Sequence, residues 1–380
     1  MKYLSFVIFL VMAQGAIFAQ DYTQTVKGKT IDADSKAPIP FANIVLVNSD
    51  PFVGESADID GNFKIKDVPV GRHNIKVTAI GYEDVYLNEI EVGTGHELVL
   101  NIEMTESVLT LAEVVVVAHN DPTEAINQMA TVSANQITIE STSRIAAGIN
   151  DPGRTAQSFA GVSSADDENN ELVIRGNSPR GVLWRMEGIE IPNPNHFSNG
   201  EGGSGGGVSA LSTQVLANSD FFTGAFPAEY GNALSGVFDL HLRIGNNEKR
   251  EYTLQVGVLG VQAAIEGPIK KGSEASYLFN YRYSSLRLLD KVGVDISGGD
   301  ISPGWQDLSY KIYVPTKKMG RFSIWGLGGY SDAGSTAVRD TSLWNYRSDT
   351  FEEIEEHRIG IAGLTHNFLL KNNKTYVKTV

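Results

Sequence analysis

The residues that could do chemistry are sparse in this 380-residue chain. None of its seven histidines begins an H-x-x-E or HExxH pair, so no zinc-hydrolase site is legible. No Ser sits in a recognisable nucleophile setting, and there is no cysteine. Asp58, Asp60 and Asn62 space oxygen ligands as a calcium loop does, but Gly61 stands fourth rather than sixth and no glutamate closes the loop at position twelve. A hairpin turn at Asp60-Gly61 is the better reading. The glycine-rich run from Asn199 to Gly207 lacks the Gly-Lys-Ser/Thr ending of a phosphate loop and opens no amphipathic helix, so it reads as a flexible loop. Asn193, Asn195 and His196 stand just before it and are candidates for a ligand-side loop. The expectation is therefore a protein without catalytic residues, metal or cofactor.

The bulk properties narrow the classes further. A formal charge of −14 with no basic stripe disfavours a nucleic-acid partner. Lys2 gives a positive start, Leu4 to Ala13 is an apolar run, and Gly15, Ala16 and Ala19 are small residues ahead of Gln20 and Asp21. This is the layout of a secretory signal peptide over residues 1–19, too short for a spanning helix. If the exported chain crosses a membrane it must do so with β-strands. Large ladder-built exported chains also manage without disulfides, in keeping with the missing cysteines.

The elements that would position these residues fall into four stretches after the signal. Residues 22–106 show short alternating strands with turns at intervals near ten residues, the pattern of a small antiparallel β-sandwich that should fold alone. Its strands are read at Val26 to Ile31, Ala42 to Val47, Asn62 to Ile65, Asn74 to Ala79, Val85 to Val92 and Leu98 to Met104, and most of its aromatics fit core positions. Residues 107–122 form a linker in which Glu113 leads into Val114, Val115, Val116 and Val117 without alternation. That run fits a buried or edge strand, and equally an extended peptide that adds itself to a partner's sheet. Residues 123–243 mix helix and strand, with Ser143 to Ala147 and Gly153 to Phe159 predicted helical and Glu171 to Arg175 extended.

Residues 244–380 read as long alternating strands with a lipid-facing set. Tyr252, Leu254, Val256 and Val258 share one face. Ala275, Tyr277, Phe279, Tyr281 and Tyr283 alternate with Ser276, Asn280, Arg282 and Ser284, which suits an apolar outside and a wet lumen. Leu308, Tyr310, Ile312 and Val314 repeat the pattern, as do Phe322, Ile324 and Tyr330. Alternation loses phase near Leu259 and Ala362, predicting bulges there, and the longer outward loops are predicted at Asp290 to Pro303 and Asp332 to Phe351. About six strands cannot close a lipid-facing barrel, so the sequence is expected to hold only the first strands of one.

Two resemblances join these readings. Pro38 to Ile44, Asp58 to Phe63 and Ile80-Gly81-Tyr82 resemble the carboxypeptidase regulatory-like domain family, which implies a transthyretin-like, non-catalytic sandwich. Ile174-Arg175-Gly176, then Met186-Glu187-Gly188 through Pro192, then Gly224 to Gly231 with Ser235-Gly236-Val237 resemble the plug domain of TonB-dependent outer-membrane receptors, with Glu187-Gly188 where that family often has Asp-Gly. This resemblance implies a mainly β architecture of sandwich, α+β plug and a barrel of about 22 strands. It also implies the cell outer membrane and its lipid, TonB with its inner-membrane energy complex as partners, and import of an unknown small ligand such as a siderophore, glycan or peptide. Under it, Glu113 to Val117 become the TonB-contact candidates, and Arg175, Glu187 and Glu229 the candidates for contacts that loosen when the plug is pulled. The alternative is a surface adhesion protein that binds carbohydrate or protein through the sandwich.

Overall fold

The computed structural model describes residues 22–33, 35–47, 49, 52–107, 126, 127, 129, 130, 133–138, 142, 145, 151–164, 170–198, 205–257, 260–291, 301–316, 318–344, 350–370 and 375–380. The predicted signal peptide, Glu113 to Val117 and nearly all of the predicted helix at 143–147 lie outside the described residues. The chain divides into two compact units, an N-terminal one and a larger one.

The N-terminal unit is a two-sheet sandwich. Its strands are β1 (Thr23–Asp32), β2 (Asn43–Leu46), β3 (Gly54–Ser56), β4 (Asn62–Pro69), β5 (Gly71–Thr78), β6 (Val85–Val92) and β7 (Leu98–Met104), in sheets ordered β4-β1-β7 and β3-β2-β5-β6. Alternate residues Phe63, Ile65, Ile75, Val77, Ile102 and Met104 point between the sheets into one core with Val26, Ile44 and Leu46. Asp58 Oδ1 accepts the amides of Asp60 and Asn62 at 2.9 and 2.8 Å, and Gly61 has φ +77°, so the acidic cluster is a side-chain-closed hairpin turn as expected. Fewer aromatics are in the core than the sequence reading placed there. Phe63 is buried, but Tyr22, Phe41 and Phe52 are 60, 67 and 73% exposed.

The larger unit begins with the plug-like segment. It contains β8 (Ala134–Ile137), the short helix α1 (Pro152–Ala156), β9 (Val162–Ser164), β10 (Leu172–Ile174), β11 (Val182–Met186), β12 (Ile189–Ile191), β13 (Asn195–His196), β14 (Val208–Ser209), β15 (Ser219–Phe222) and β16 (Gly236–Leu240). Asp151 caps α1 through the amides of Gly153 and Arg154, and Pro152 occupies the first turn, where it needs no partner. The helix is shorter than the stretch predicted from Gly153 to Phe159. Five strands form a mixed sheet, β12-β11-β16-β15-β8, in which β11 and β16 run parallel. The β11–β12 hairpin turns on Glu187 (φ +55°) and Gly188 (φ +99°), the doubly left-handed geometry that a two-residue turn with native twist requires.

The remaining strands, β17 (Glu251–Val256), β18 (Gly260–Pro268), β19 (Ser276–Ser284), β20 (Ile301–Thr316), β21 (Gly320–Ser335), β22 (Glu353–Leu369) and β23 (Tyr376–Thr379), pair in sequence order as one antiparallel sheet, here the wall. It has seven strands rather than the expected six, and a second short helix, α2 (Ser285–Lys291), follows β19. The alternation is as expected on the outer face, where Tyr252, Leu254 and Val256 are 69 to 75% exposed.

The inner face differs from the wet lumen that the sequence reading assumed. Leu278, Trp325 and Leu327 are at most 2% exposed and share a single core with Leu172, Trp184, Phe221 and Phe238 of the plug-like segment. A lumen filled by protein admits inward apolar residues that a water-filled one would not. The same fact removes the bulge expected near Ala362. β22 pairs with β21 in unbroken register from Arg321↔Asn367 to Ser335↔Glu353, and Ile361 faces inward against the shared core. Apolar residues on both faces of β22 gave a false loss of phase.

Candidate functional site at the junction of plug-like segment and wall

Among the described residues, three polar ties cross from the plug-like segment to the wall. The first uses the turn residue Glu187, only 7% exposed, whose Oε1 accepts Lys311 Nζ of β20 at 2.8 Å and the Leu242 amide at 2.8 Å. Lys311 also donates to the Leu242 carbonyl at 2.6 Å. Burial opposes ionisation of Glu187 most strongly, but the Lys311 charge and hydrogen bond, the nearby His241 and the Leu242 amide together hold its carboxyl below the usual range.

The second tie lies where the plug-like segment passes into the wall. Arg243 donates both terminal nitrogens to the Glu266 carboxylate of β18 at 2.8 and 2.6 Å, and Glu266 Oε2 also accepts the Asn246 amide at 2.7 Å. The planar fork matches the carboxylate in two places at once, which fixes direction as well as distance.

The third tie stands four residue pairs further along the wall. Asp307 of β20 is fully buried; it accepts Arg282 of β19 at 2.9 and 2.7 Å, and His196 Nε2 of β13 lies 3.0 Å from its Oδ2. Arg282 reaches on to the Ser209 carbonyl of β14 at 2.5 Å and stacks over Trp305 at 5.1 Å. The Phe197 amide donates to Ser331 Oγ of β21 at 3.1 Å. Gly329 lies beneath the imidazole, where an added Cβ would come within 3.0 Å of His196 Cε1.

The predicted site residues fall into two groups. Glu187 and His196 meet the wall. Arg175 is exposed, with φ +50°, and donates to Ser133 Oγ at 2.6 Å and to Thr223 Oγ1 at 3.3 Å, both within the plug-like segment. Glu229 is exposed, accepts Asn127 Nδ2 at 2.7 Å and stands 3.6 Å from Arg185, again within that segment. Asn193 is half-buried and donates to the Gly205 carbonyl at 2.7 Å. Asn195 and His196 are 4 and 2% exposed, so they are packed positions rather than open surface.

Sequence reasoning missed Lys311, Arg243, Glu266 and Asp307 as members of the site. The signal was present on β20, where Asp307, Ser309 and Lys311 alternate with the outward Leu308, Tyr310 and Ile312. Charges at inward positions of a wall strand demand partners from whatever fills the interior. Among the described residues no group of His, Cys, Asp or Glu is arranged to hold a metal ion.

A further cluster lies on the other face of the five-stranded sheet. Register sets Arg185, Asp239 and Asp220 side by side on β11, β16 and β15. Tyr230 donates to Asp239 Oδ2 at 2.8 Å, and its ring lies 4.8 Å from the Arg185 guanidinium. Burial pushes the Asp220 carboxyl up, against two backbone amides that pull it down.

Comparison with known proteins gives three findings. Residues 26–116 match the CarboxypepD_reg-like domain family. The chain is 25% identical over 242 residues to the TonB-dependent transporter Oar of Myxococcus xanthus, covering 61% of this chain and 21% of that relative, so it spans about a fifth of the relative's length. Among solved structures it is similar to the ferric enterobactin receptor PfeA and the siderophore receptor PirA, both of Pseudomonas aeruginosa. Identities are 15 and 16%; each match covers 63% of this chain and 38% of the other, with a TM-score of 0.39.

Proposed function

We propose that this chain, which carries a CarboxypepD_reg-like domain and is a homologue of a TonB-dependent transporter, is the front end of an outer-membrane receptor that imports a small ligand. The observation that carries the reading is the junction itself. A sheet with an apolar outer face holds a plug-like segment against its inner face by an apolar core and three buried polar ties. An interior held by a few discrete charge pairs can stay sealed at rest and be released by force on one segment.

In this reading residues 1–19 direct export, the outer face of the wall meets outer-membrane lipid, and Glu113, Val114, Val115, Val116 and Val117 add as a strand to TonB. TonB and its inner-membrane complex then supply the pull. Glu187 is the gating residue that reaches the wall, while Arg175 and Glu229 act within the plug-like segment. Asn193, Asn195 and His196 belong to the loop that a bound ligand would disturb. The ligand class stays open among siderophore, glycan and peptide.

The adhesion alternative has less support. It needs a platform of clustered aromatics on the sandwich, yet Phe41 precedes the start of β2 and Phe52 precedes the start of β3. The antiparallel β2–β3 pairing, Asn43↔Ser56 to Val45↔Gly54, sets these two residues at opposite ends of the pair. The test is deletion of residues 113–118 in the full-length receptor, with energised uptake measured for the ligand identified by co-purification. Loss of uptake with ligand binding retained is expected, and unchanged uptake removes the proposed role.

A further inference from the structure

We propose that Asp220 is the clamp that keeps the entry end of the plug-like segment closed, its carboxylate holding the backbone of Ile126 and Asn127 until a pull along the chain withdraws them. This rests on the import reading above, because it supposes that force arrives through the linker before residue 126.

The geometry is specific to that job. Asp220 is 2% exposed on β15, and its two oxygens serve two consecutive amides, Ile126 N to Oδ1 and Asn127 N to Oδ2, each at 2.8 Å. Bonds from backbone amides to an ionised acceptor are stronger than neutral ones, and burial shields them from competing water. The Asn127 side chain is held as well, by Glu229 Oε1 at 2.7 Å and Tyr230 Oη at 2.9 Å. Tyr230 is fastened to Asp239, and Arg185 stacks on its ring and approaches Glu229. Two residues at the mouth of the segment are thus bonded directly to β15 and to the connection ahead of β16, across 93 to 103 positions of sequence.

The clamp is also built to reclose. Asp220 and Asp239 are directly paired across β15 and β16, and Asp239 Oδ1 is buried with no hydrogen-bond partner among the described residues. Withdrawing residues 126 and 127 would strip Asp220 of two donors while it still faces a second carboxylate. The released state is therefore disfavoured, and the backbone amides are drawn back once the pull stops.

Hydrogen exchange on the full-length receptor in outer-membrane vesicles tests this, comparing wild type with Asp220→Asn, Asp220→Ala and Tyr230→Phe. Exchange at Ile126 and Asn127 is expected to rise about ten- to hundredfold in Asp220→Ala and less in the other two, as follows from losing bonds to a charged acceptor. Exchange at Leu242, in the tie to the wall, should not change; if Asp220→Ala fails to fold, the two milder variants carry the comparison. Unchanged exchange at 126 and 127 overturns the clamp, as does an equal rise at Leu242, which would mark general loosening. Absence of any energised uptake by the full-length wild-type receptor would overturn the import reading and leave the measured clamp in place, whereas uptake that survives deletion of residues 113–118 would remove only the pulling role of that segment.

Discussion

Replacing Lys311 with methionine should break the tie between plug-like segment and wall while nearly preserving side-chain volume. Glu187 would then stay buried with one backbone donor, the Leu242 amide, because Lys311 is its ion-pair partner and lies 2.8 Å away. Both side chains are at most 10% exposed, so solvent screening gives little relief. Removing one partner of such a pair costs roughly 3–5 kcal/mol. At about 1.4 kcal/mol per decade this is a hundred- to several-thousandfold faster exchange at the Leu242 amide, if that amide opens with the tie. The double variant Glu187→Gln with Lys311→Met should return to within about 1 kcal/mol of wild type, since the stranded charge is gone. The pH dependence has a fixed sign. A carboxyl held below its ordinary value of 4.5 stabilises the closed form above that pH and loses the contribution as pH falls through its lowered value. Protection of Leu242 should thus fall in acid in wild type and not in the double variant. The reasoning is refuted if Lys311→Met changes exchange by less than about threefold, or if the double variant is as damaged as the two singles combined.

Two glycines of β22 make a matched pair for the filled interior. At Gly363 an added Cβ would overlap the Trp325 ring, whereas at Gly360 it meets nothing within 4 Å, so Gly363→Val should destabilise by about 1–3 kcal/mol or more and Gly360→Val by about 0.5 at most, read as thermal unfolding in detergent. In the sandwich, Ile44→Ala removes a fully buried side chain and should cost about 2–5 kcal/mol in urea unfolding of residues 22–107, while Phe41→Ala, at an exposed position, should change stability by about 0.5 kcal/mol or less. Failure of that fragment to unfold cooperatively would contradict its reading as an independent unit.

Much of this was legible because a strand's period is short. Six of the sandwich strands and the outward sets of the wall follow from alternation within ten residues, and Val85–Val92 and Leu98–Met104 coincide with their predicted bounds. Strand β3 escaped because Gly54–Ser56 is too brief to alternate, and the parallel pairing of β11 with β16 because its partners are more than fifty positions apart. The ties were least legible. Glu187 was picked out for its charge beside a turn, but nothing local couples it to Lys311, 124 positions on. His196 looked like an open loop residue because polar neighbours and glycines surround it in sequence, while in space Asp307, Trp305 and Gly329 enclose it.

The two faces of the five-stranded sheet explain how one segment can be both anchored and releasable. Trp184, Phe238 and Phe221 form one row across β11, β16 and β15, and they pack in the core that includes Leu278, Trp325 and Leu327 of the wall. The rows on either side point the opposite way. One is Leu183, Val237 and Phe222, in a separate small core with Tyr230; the other is Arg185, Asp239 and Asp220. Residues 126 and 127 are bonded on that second face. Their withdrawal need not expose the Trp184–Phe238 stack, whose rings lie 4.2 Å apart, nor separate Glu187 from Lys311. The strand nearest the entry, β8, is an edge strand held by four residue pairs to β15, so little ladder opposes a pull that has passed the clamp. On the wall side a pull meets buried charges that must separate in a low-dielectric interior. Under the proposed import, the expected order of yielding is therefore entry residues first, β8 next, and the wall ties last.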